Sequence, residues 1–490
     1  MIFNENPPEG GKTNSPIIFN FHYSTSTTIT NVTEVEYQDE NNVKPIEYWD
    51  FYDLHHTESL LNYDTIPTFL SQCDLISLPV GVKRAVERLP LKVLNKIDQD
   101  KKIAIEKCLL FASNCTSTLF HDDLEGKWKN LSSKFLHEQV KKGNDNTFIY
   151  KNVIKALCYK TNTTLPILEI RTNYYGNPSY LADEYSIQYR YQESFRNTNL
   201  MTYELKNPDS IQKRRKYYLQ KLNEAFKNPI AYNLINLYPK IELPTEAEIL
   251  NIGKQLAKNN CKTRKGKIIA SLNKRKKETI KDYENKSFIE DALKRFNYLT
   301  SKGFIIPTKG SYKSGGRVAD SFNLMNSWIR STIKIEGENT STLDYKAFHP
   351  NLAIKIYGGK TKYLTHQQIA DYLNKDVKEV KIEHLSFFNK HPNDMKKSIL
   401  FEYYSKNEPE MLDRIIHDKK MNGYKITSIK MFQSEVTIMQ KCIIKLNKKD
   451  IYVGYVYDAL FCKKSQKDEV LKVMNSVLME LEVYTIACEE

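Results

Sequence analysis

Glycine and proline are scarce, 17 of each in 490 residues. This excludes a long flexible, low-complexity or collagen-like tract. No apolar run approaches the length of a membrane-spanning helix, and the N-terminus lacks a basic-then-apolar leader. The eight cysteines include no CxxC pair, and no His/Cys cluster has zinc-ligand spacing. They read as reduced, scattered thiols of a soluble cytoplasmic protein with no membrane partner. His22, His55, His56 and His121 are isolated, and adjacent residues such as His55 and His56 point different ways on either element type.

What is present bounds the answer further. The length suits two to four domains, and 40% hydrophobic residues suffice for packed cores. The net charge is +14 with a pI near 9.0, which favours a polyanion, nucleic acid before membrane. Simple solubility, or the Lys-, Asn-, Ile- and Tyr-rich coding of an AT-rich genome, accounts for the same composition.

Three stretches carry the chemistry. In STLDYKAFHPNLAIKIYG, from Ser341 to Gly358, a short strand ends at Asp344 and a helix-compatible segment follows. A carboxylate at a strand exit stands where a site can form, although capping the next helix is the commoner use of such an Asp. In NDMKKSILFEYYS, Lys396 and Tyr404 are eight residues apart, so on one helix they share a face. In IYVGYVYDALFC, Asp458 interrupts a β-rich hairpin-like run. A buried carboxylate is costly unless it is paired or holds a metal, and two brought together favour a divalent cation between them.

The ordered set Asp344, Lys396, Tyr404, Asp458 resembles motifs A, B and C of family A DNA polymerases and single-subunit phage RNA polymerases. DYKAFH stands for motif A, KKSILFEYY for motif B and Tyr457-Asp458 for the His-Asp of motif C. GGRVADSFNLMNSWIR, Gly315 to Arg330, resembles the Gly-Arg and Asn-Leu elements that approach template and primer. The likeness covers roughly the last 180 residues and extends to small polymerase-like proteins of phages and mobile elements, where "lDyssxHPxll" and "HDsxxV" recur. Ala459 follows Asp458 where family A DNA polymerases place Glu, Tyr457 replaces His, and Pro392 stands where motif B has Arg. DYKAFHP also fits the motif A of family B, but Val456 occupies the place of that family's second motif C carboxylate.

The resemblance implies an α+β multidomain fold. It is a polymerase right hand with an antiparallel-sheet palm over 304–490, short helical fingers inserted at 365–447 and a basic helical thumb-like region over 201–303. Residues 121–200 read as helices followed by a β-wing around Gly176-Asn177-Pro178, a winged-helix-like module or an unspecific α+β scaffold. Residues 1–120 form an N-terminal region without visible chemistry, with a loose tail over the first fifteen and weak strand alternation from Ile17 to Val35. Residues 84–113 read as helical with a break at Pro90. Thr245-Glu246-Ala247-Glu248 after Pro244 marks a helix start, and 466–482 a closing amphipathic helix.

The implied activity is template-directed nucleotidyl transfer on a DNA primer-template with nucleoside triphosphates, a DNA polymerase first, in replication of a mobile element. Two Mg²⁺ ions about 4 Å apart would be held by Asp344 and Asp458. Lys396 meets the triphosphate and Tyr404 the nascent base pair or sugar. Tyr345, His349 and Lys397 line the substrate, and Arg317 and Arg330 hold primer or template phosphates. His349, five after Asp344, stands where bulk excludes a ribose hydroxyl, or simply packs under motif A. Lys213, Arg214, Arg215, Lys216, Arg264, Lys265, Lys274 and Arg275 form basic clusters suited to a duplex backbone, or a solvated helix face. A primer-independent RNA polymerase or primase, and a non-catalytic nucleic-acid-binding replication protein, stand as alternatives.

Overall fold

The computed structural model describes residues 73–120, 128–142, 148–161, 165–179, 186–263, 266–272, 282 and 284–490. The expected tail, the Ile17–Val35 strands, the isolated histidines of the first 121 residues, and Arg264, Lys265, Lys274 and Arg275 lie outside the described residues.

Two apolar cores organise the chain. The first collects residues from Ile76 to Leu205. Its central helix, Lys101–Ser113, starts at Asp100, whose carboxylate accepts the Lys102 N–H at 2.7 Å. Strand Leu75–Pro79 pairs antiparallel with Leu200–Glu204. Helices Ser133–Val140 and Ile149–Leu157 follow the first strand of a three-stranded antiparallel sheet with the spatial order Lys129–Asn130, Gln188–Tyr191, Leu168–Ile170. Tyr191 locks this sheet to the central helix by donating its hydroxyl to the Ala112 carbonyl at 2.6 Å.

A 19-residue helix, α1 (Pro208–Phe226), joins the cores. Asn207 caps it, and the buried Glu106 accepts the backbone N–H groups of Lys206 and Asn207 at 2.6 and 2.9 Å. Its last turns bury Leu219, Leu222, Ala225 and Phe226 in the second core. Helix Glu246–Lys258 begins with a reciprocal capping box between Thr245 and Glu248, at the helix start expected from the sequence.

The second core is built on a six-stranded sheet in which every pairing is antiparallel. In chain order its strands are β1 (Ile241–Glu242), β2 (Lys334–Ile335), β3 (Glu338–Tyr345), β4 (Gly454–Val456), β5 (Ala459–Lys463) and β6 (Ala487–Glu489). They lie in the order β4-β5-β3-β2-β1, and β6 pairs with the C-terminal half of β3. Along β3, Ser341, Leu343 and Tyr345 are buried while Thr342 and Asp344 are half-exposed. Period-two alternation thus puts Asp344 on the open face.

Helix α2 (Phe348–Tyr357) follows β3. Between it and β4 lie α3 (His366–Leu373), α4 (Val377–Phe387), a single turn at Pro392–Met395, α5 (Ile399–Asn407), α6 (Pro409–Asn422) and α7 (Ile426–Asn447). Helix α8 (Lys467–Glu480) closes the chain, burying Val470, Val473, Met474, Val477 and Leu478. Asn233, fully buried on helix Pro229–Leu237, exchanges two hydrogen bonds with the Val453 backbone and so fixes the entry to β4. No disulfide joins the eight cysteines, and among the described residues no helix is long and apolar enough to cross a membrane.

Candidate active site

Asp344 ends the open face of β3, and its Oδ1 accepts the Tyr345 N–H at 2.8 Å. It does not cap α2. The cap position is Ala347, held at φ 46° and ψ 45° without a side-chain cap. Across the sheet Asp344 pairs with Ala459, the residue after Asp458. Pairing of Val456 with Ala459 makes Tyr457-Asp458 a two-residue turn between β4 and β5. Two turns therefore meet on neighbouring strands, each next to a carboxylate. Each contains a non-glycine residue in the left-handed region, Ala347 and Tyr457 (φ 61°).

Beside the Asp458 turn lies a carboxylate from α7. Glu435 is fully buried, Arg317 Nε donates to its Oε1 at 2.7 Å, a second Arg317 nitrogen donates to its Oε2, and His349 Nε2 donates to the same Oε2 at 3.0 Å. The Arg317 guanidinium lies 3.7 Å from the Phe432 ring centroid and 4.7 Å from that of Tyr457. Gly315 lets the Arg317 loop reach α7. It sits at φ 65°, and a Cβ there would come within 2.4 Å of the Phe432 Cβ.

The charges are coupled. Burial, and then the nearby Glu435 charge, push the Asp458 carboxyl above its ordinary value, against His349 and Arg317. Burial also opposes ionisation of Glu435, but the bonds from His349 and Arg317 outweigh it and hold that carboxyl low. The site therefore keeps Glu435 charged and leaves Asp458 short of positive charge. Asp344 and Asp458 offer oxygen donors of the kind Mg²⁺ uses, one or two carboxylates completed by phosphate and water. Among the described residues no three His, Cys, Asp or Glu side chains are grouped so as to hold a metal ion.

The other residues singled out in the sequence are distributed as follows. Asp458, His349 and Arg317 come together around Glu435, and Asp344 reaches the same end of the sheet through its register with Ala459. Lys396 and Tyr404 do not share one helix face, which corrects the expectation. Lys396 caps the turn Pro392–Met395, Ser398 opens a new helix by accepting the Leu400 N–H, and α5 begins at Ile399. Tyr404 is fully buried, stacked on Phe387 with its hydroxyl 2.9 Å from His384 Nε2. Lys396 is exposed, and Lys397 pairs with Asp394 at 3.0 Å. Tyr345 points into the core, its hydroxyl 3.4 Å from Cys442 Sγ. Arg330 donates to the carbonyls of Phe322 and Met325.

Of the first basic cluster, Arg215 and Lys216 are exposed. Lys213 pairs with Asp209 at 2.6 Å and also donates to the Lys141 carbonyl. Arg214 binds the Cys73 and Leu75 carbonyls and the Tyr218 hydroxyl. Glu435, Phe432 and the stacking role of Tyr457 were not anticipated. One signal was available: Glu435 takes a core position in the buried stripe Met431, Ile438, Met439, Cys442 of α7.

No protein-family model and no curated protein matches the chain. Among solved structures, it is similar to the POL domain of Pol1 from M. smegmatis in complex with DNA primer-template and dNTP. That match has 10% identity and a TM-score of 0.35, and covers 57% of this chain and 73% of that one.

Proposed function

We propose that the chain is a template-directed nucleotidyltransferase, a DNA polymerase acting in replication of a mobile element. The observation that carries the reading is the register that sets Asp344, at the end of β3, opposite Ala459, the residue next to Asp458 in the β4–β5 turn. On this reading the sheet is a palm, α3 to α7 are fingers, and the helices from α1 to Ile289–Thr300 are a thumb-like clamp.

Mg²⁺ held by Asp344 and Asp458 would supply neutralisation of the triphosphate and a more acidic primer hydroxyl. Asp458 is disfavoured as a bare carboxylate by burial and by Glu435, and a cation beside it would favour its ionised form. Lys396, exposed at the end of its turn, can meet a phosphate as a point charge. His349, fixed by Glu435 at the first turn of α2, presents bulk five residues after Asp344 and disfavours a ribose hydroxyl. Arg317 is committed to Glu435 and two rings, so it orders the site rather than gripping a phosphate alone.

The test is extension of a labelled primer-template by the full chain with Mg²⁺, offering dNTPs and NTPs separately. Extension with dNTPs, lost in both Asp344→Ala and Asp458→Ala, is the expected result. His349→Gly should raise NTP use relative to dNTP use, and an unchanged ratio would remove His349 from sugar selection. Extension with NTPs alone would select an RNA polymerase or primase. No extension with either nucleotide, alongside salt-sensitive nucleic-acid binding, would replace the proposal with a binding protein.

A further inference from the structure

The two turns that carry the carboxylates share one buried partner. Through His349, Glu435 holds the first turn of α2, which begins four residues after Asp344. Through Arg317, it holds a guanidinium stacked between Phe432 of its own helix and Tyr457, the residue before Asp458. We propose that Glu435 is a positioning residue that sets the spacing of the Asp344 and Asp458 turns; the inference rests on the nucleotidyl-transfer reading only for its catalytic consequence.

Two points favour positioning over mere charge neutralisation. First, Tyr457 adopts φ 61° at the first central residue of a two-residue hairpin turn, a position that favours glycine. A bulky residue stays there only where its surroundings over-determine it, and the Arg317 stack is such a restraint. Second, a buried ion pair is a weak source of stability, since apolar residues of similar volume usually do as well.

The experiment compares the full chain with Glu435→Gln, Arg317→Lys and the double variant Glu435→Gln/Arg317→Gln. Thermal unfolding and steady-state primer extension are both measured. Glu435→Gln leaves the half-buried Arg317 guanidinium without its carboxylate and should lower the melting temperature, and the double variant, which removes both charges, should recover it. Positioning predicts that kcat of the double variant stays depressed by about a hundredfold, the scale of a small misplacement of reacting groups, while KM for the nucleotide changes little. Arg317→Lys, which keeps the charge but loses the fork and the stack, should lower kcat in the same way. Recovery of both stability and kcat in the double variant would overturn the proposal.

An activity-independent readout separates this claim from the functional one. With 3-fluorotyrosine at position 457, the ¹⁹F resonance of the wild-type chain should be displaced from that of the free amino acid and return toward it in the double variant. An unchanged resonance would overturn the positioning role. Should the wild-type chain extend no primer, the nucleotidyl-transfer reading fails while the resonance still decides the positioning claim.

Discussion

Tyr404 shows what a single side chain gains from burial. Its ring lies against Phe387 and its hydroxyl meets His384 Nε2, while His384 Nδ1 faces the Val380 carbonyl at 3.2 Å. Nδ1 therefore carries the proton and Nε2 accepts from the phenol. Tyr404→Phe leaves that nitrogen buried without a donor and should cost about 1–3 kcal/mol in urea unfolding. The same pocket makes a pH sensor of stability. Burial, the larger cause, lowers His384 to about 3 and neighbouring His366 to about 4, against an ordinary 6.5. The folded chain keeps both rings neutral while the unfolded chain protonates them. Their contribution is thus whole above pH 6.5 and is lost as pH falls toward 4 and 3. Asp320 has the opposite sign. Burial raises it to about 6 despite its bonds from Tyr238 and Asn323, so its contribution is whole below about pH 4 and lost as pH rises through 6. Comparing His384→Gln with wild type isolates the histidine effect. Between pH 7 and 5 the variant's urea midpoint should fall less, and equal falls would contradict a buried neutral ring.

At the scale of elements, the Asp458 turn is held from behind. Asn233 satisfies both the N–H and the carbonyl of Val453, one residue before β4. Asn233→Leu leaves both backbone groups buried and unpaired, at a cost of about 2 kcal/mol or more. Faster hydrogen exchange at Gly454 and Tyr455 than in distant β-strands such as Leu75–Pro79 would locate the damage at the hairpin. The break before α5 is the counterpart on the helical side. Eight residues separate Lys396 from Tyr404 at helical spacing, yet Ser398 caps a new helix between them, and a Ser followed by an apolar run was the signal for that start. Period alone cannot report a break that a three-residue turn absorbs.

For the whole molecule, the basic helix α1 divides its charge between structure and solvent. Arg214 ties the first core to α1 through two carbonyls of the Cys73–Leu75 segment, whereas Arg215 and Lys216 face outward. If α1 tracks a phosphate backbone, as the proposed clamp requires, Arg215→Gln and Lys216→Gln should each lower the slope of log binding constant against log salt by about 1. Arg214→Gln should instead lower the melting temperature. Fluorescence anisotropy with a labelled duplex over a salt series checks the first, and no change in slope for either exposed residue would remove α1 from the interface.

What the sequence determined by itself was local and periodic. Alternation along Ser341 to Tyr345 placed Asp344 opposite the core face, the apolar run around Asp458 made a hairpin with the carboxylate at its turn, and Thr245 with Glu248 marked a helix start. These follow from chain geometry within a few residues. Tertiary structure alone decided that Glu435 would meet Arg317 across 118 residues of sequence and His349 across 86, and that Arg214 would be spent on carbonyls while Arg215 stayed free to face solvent. A buried charge announces only that it needs a partner. Which partner it finds depends on how the cores close around it, and no local pattern in the chain encodes that closure.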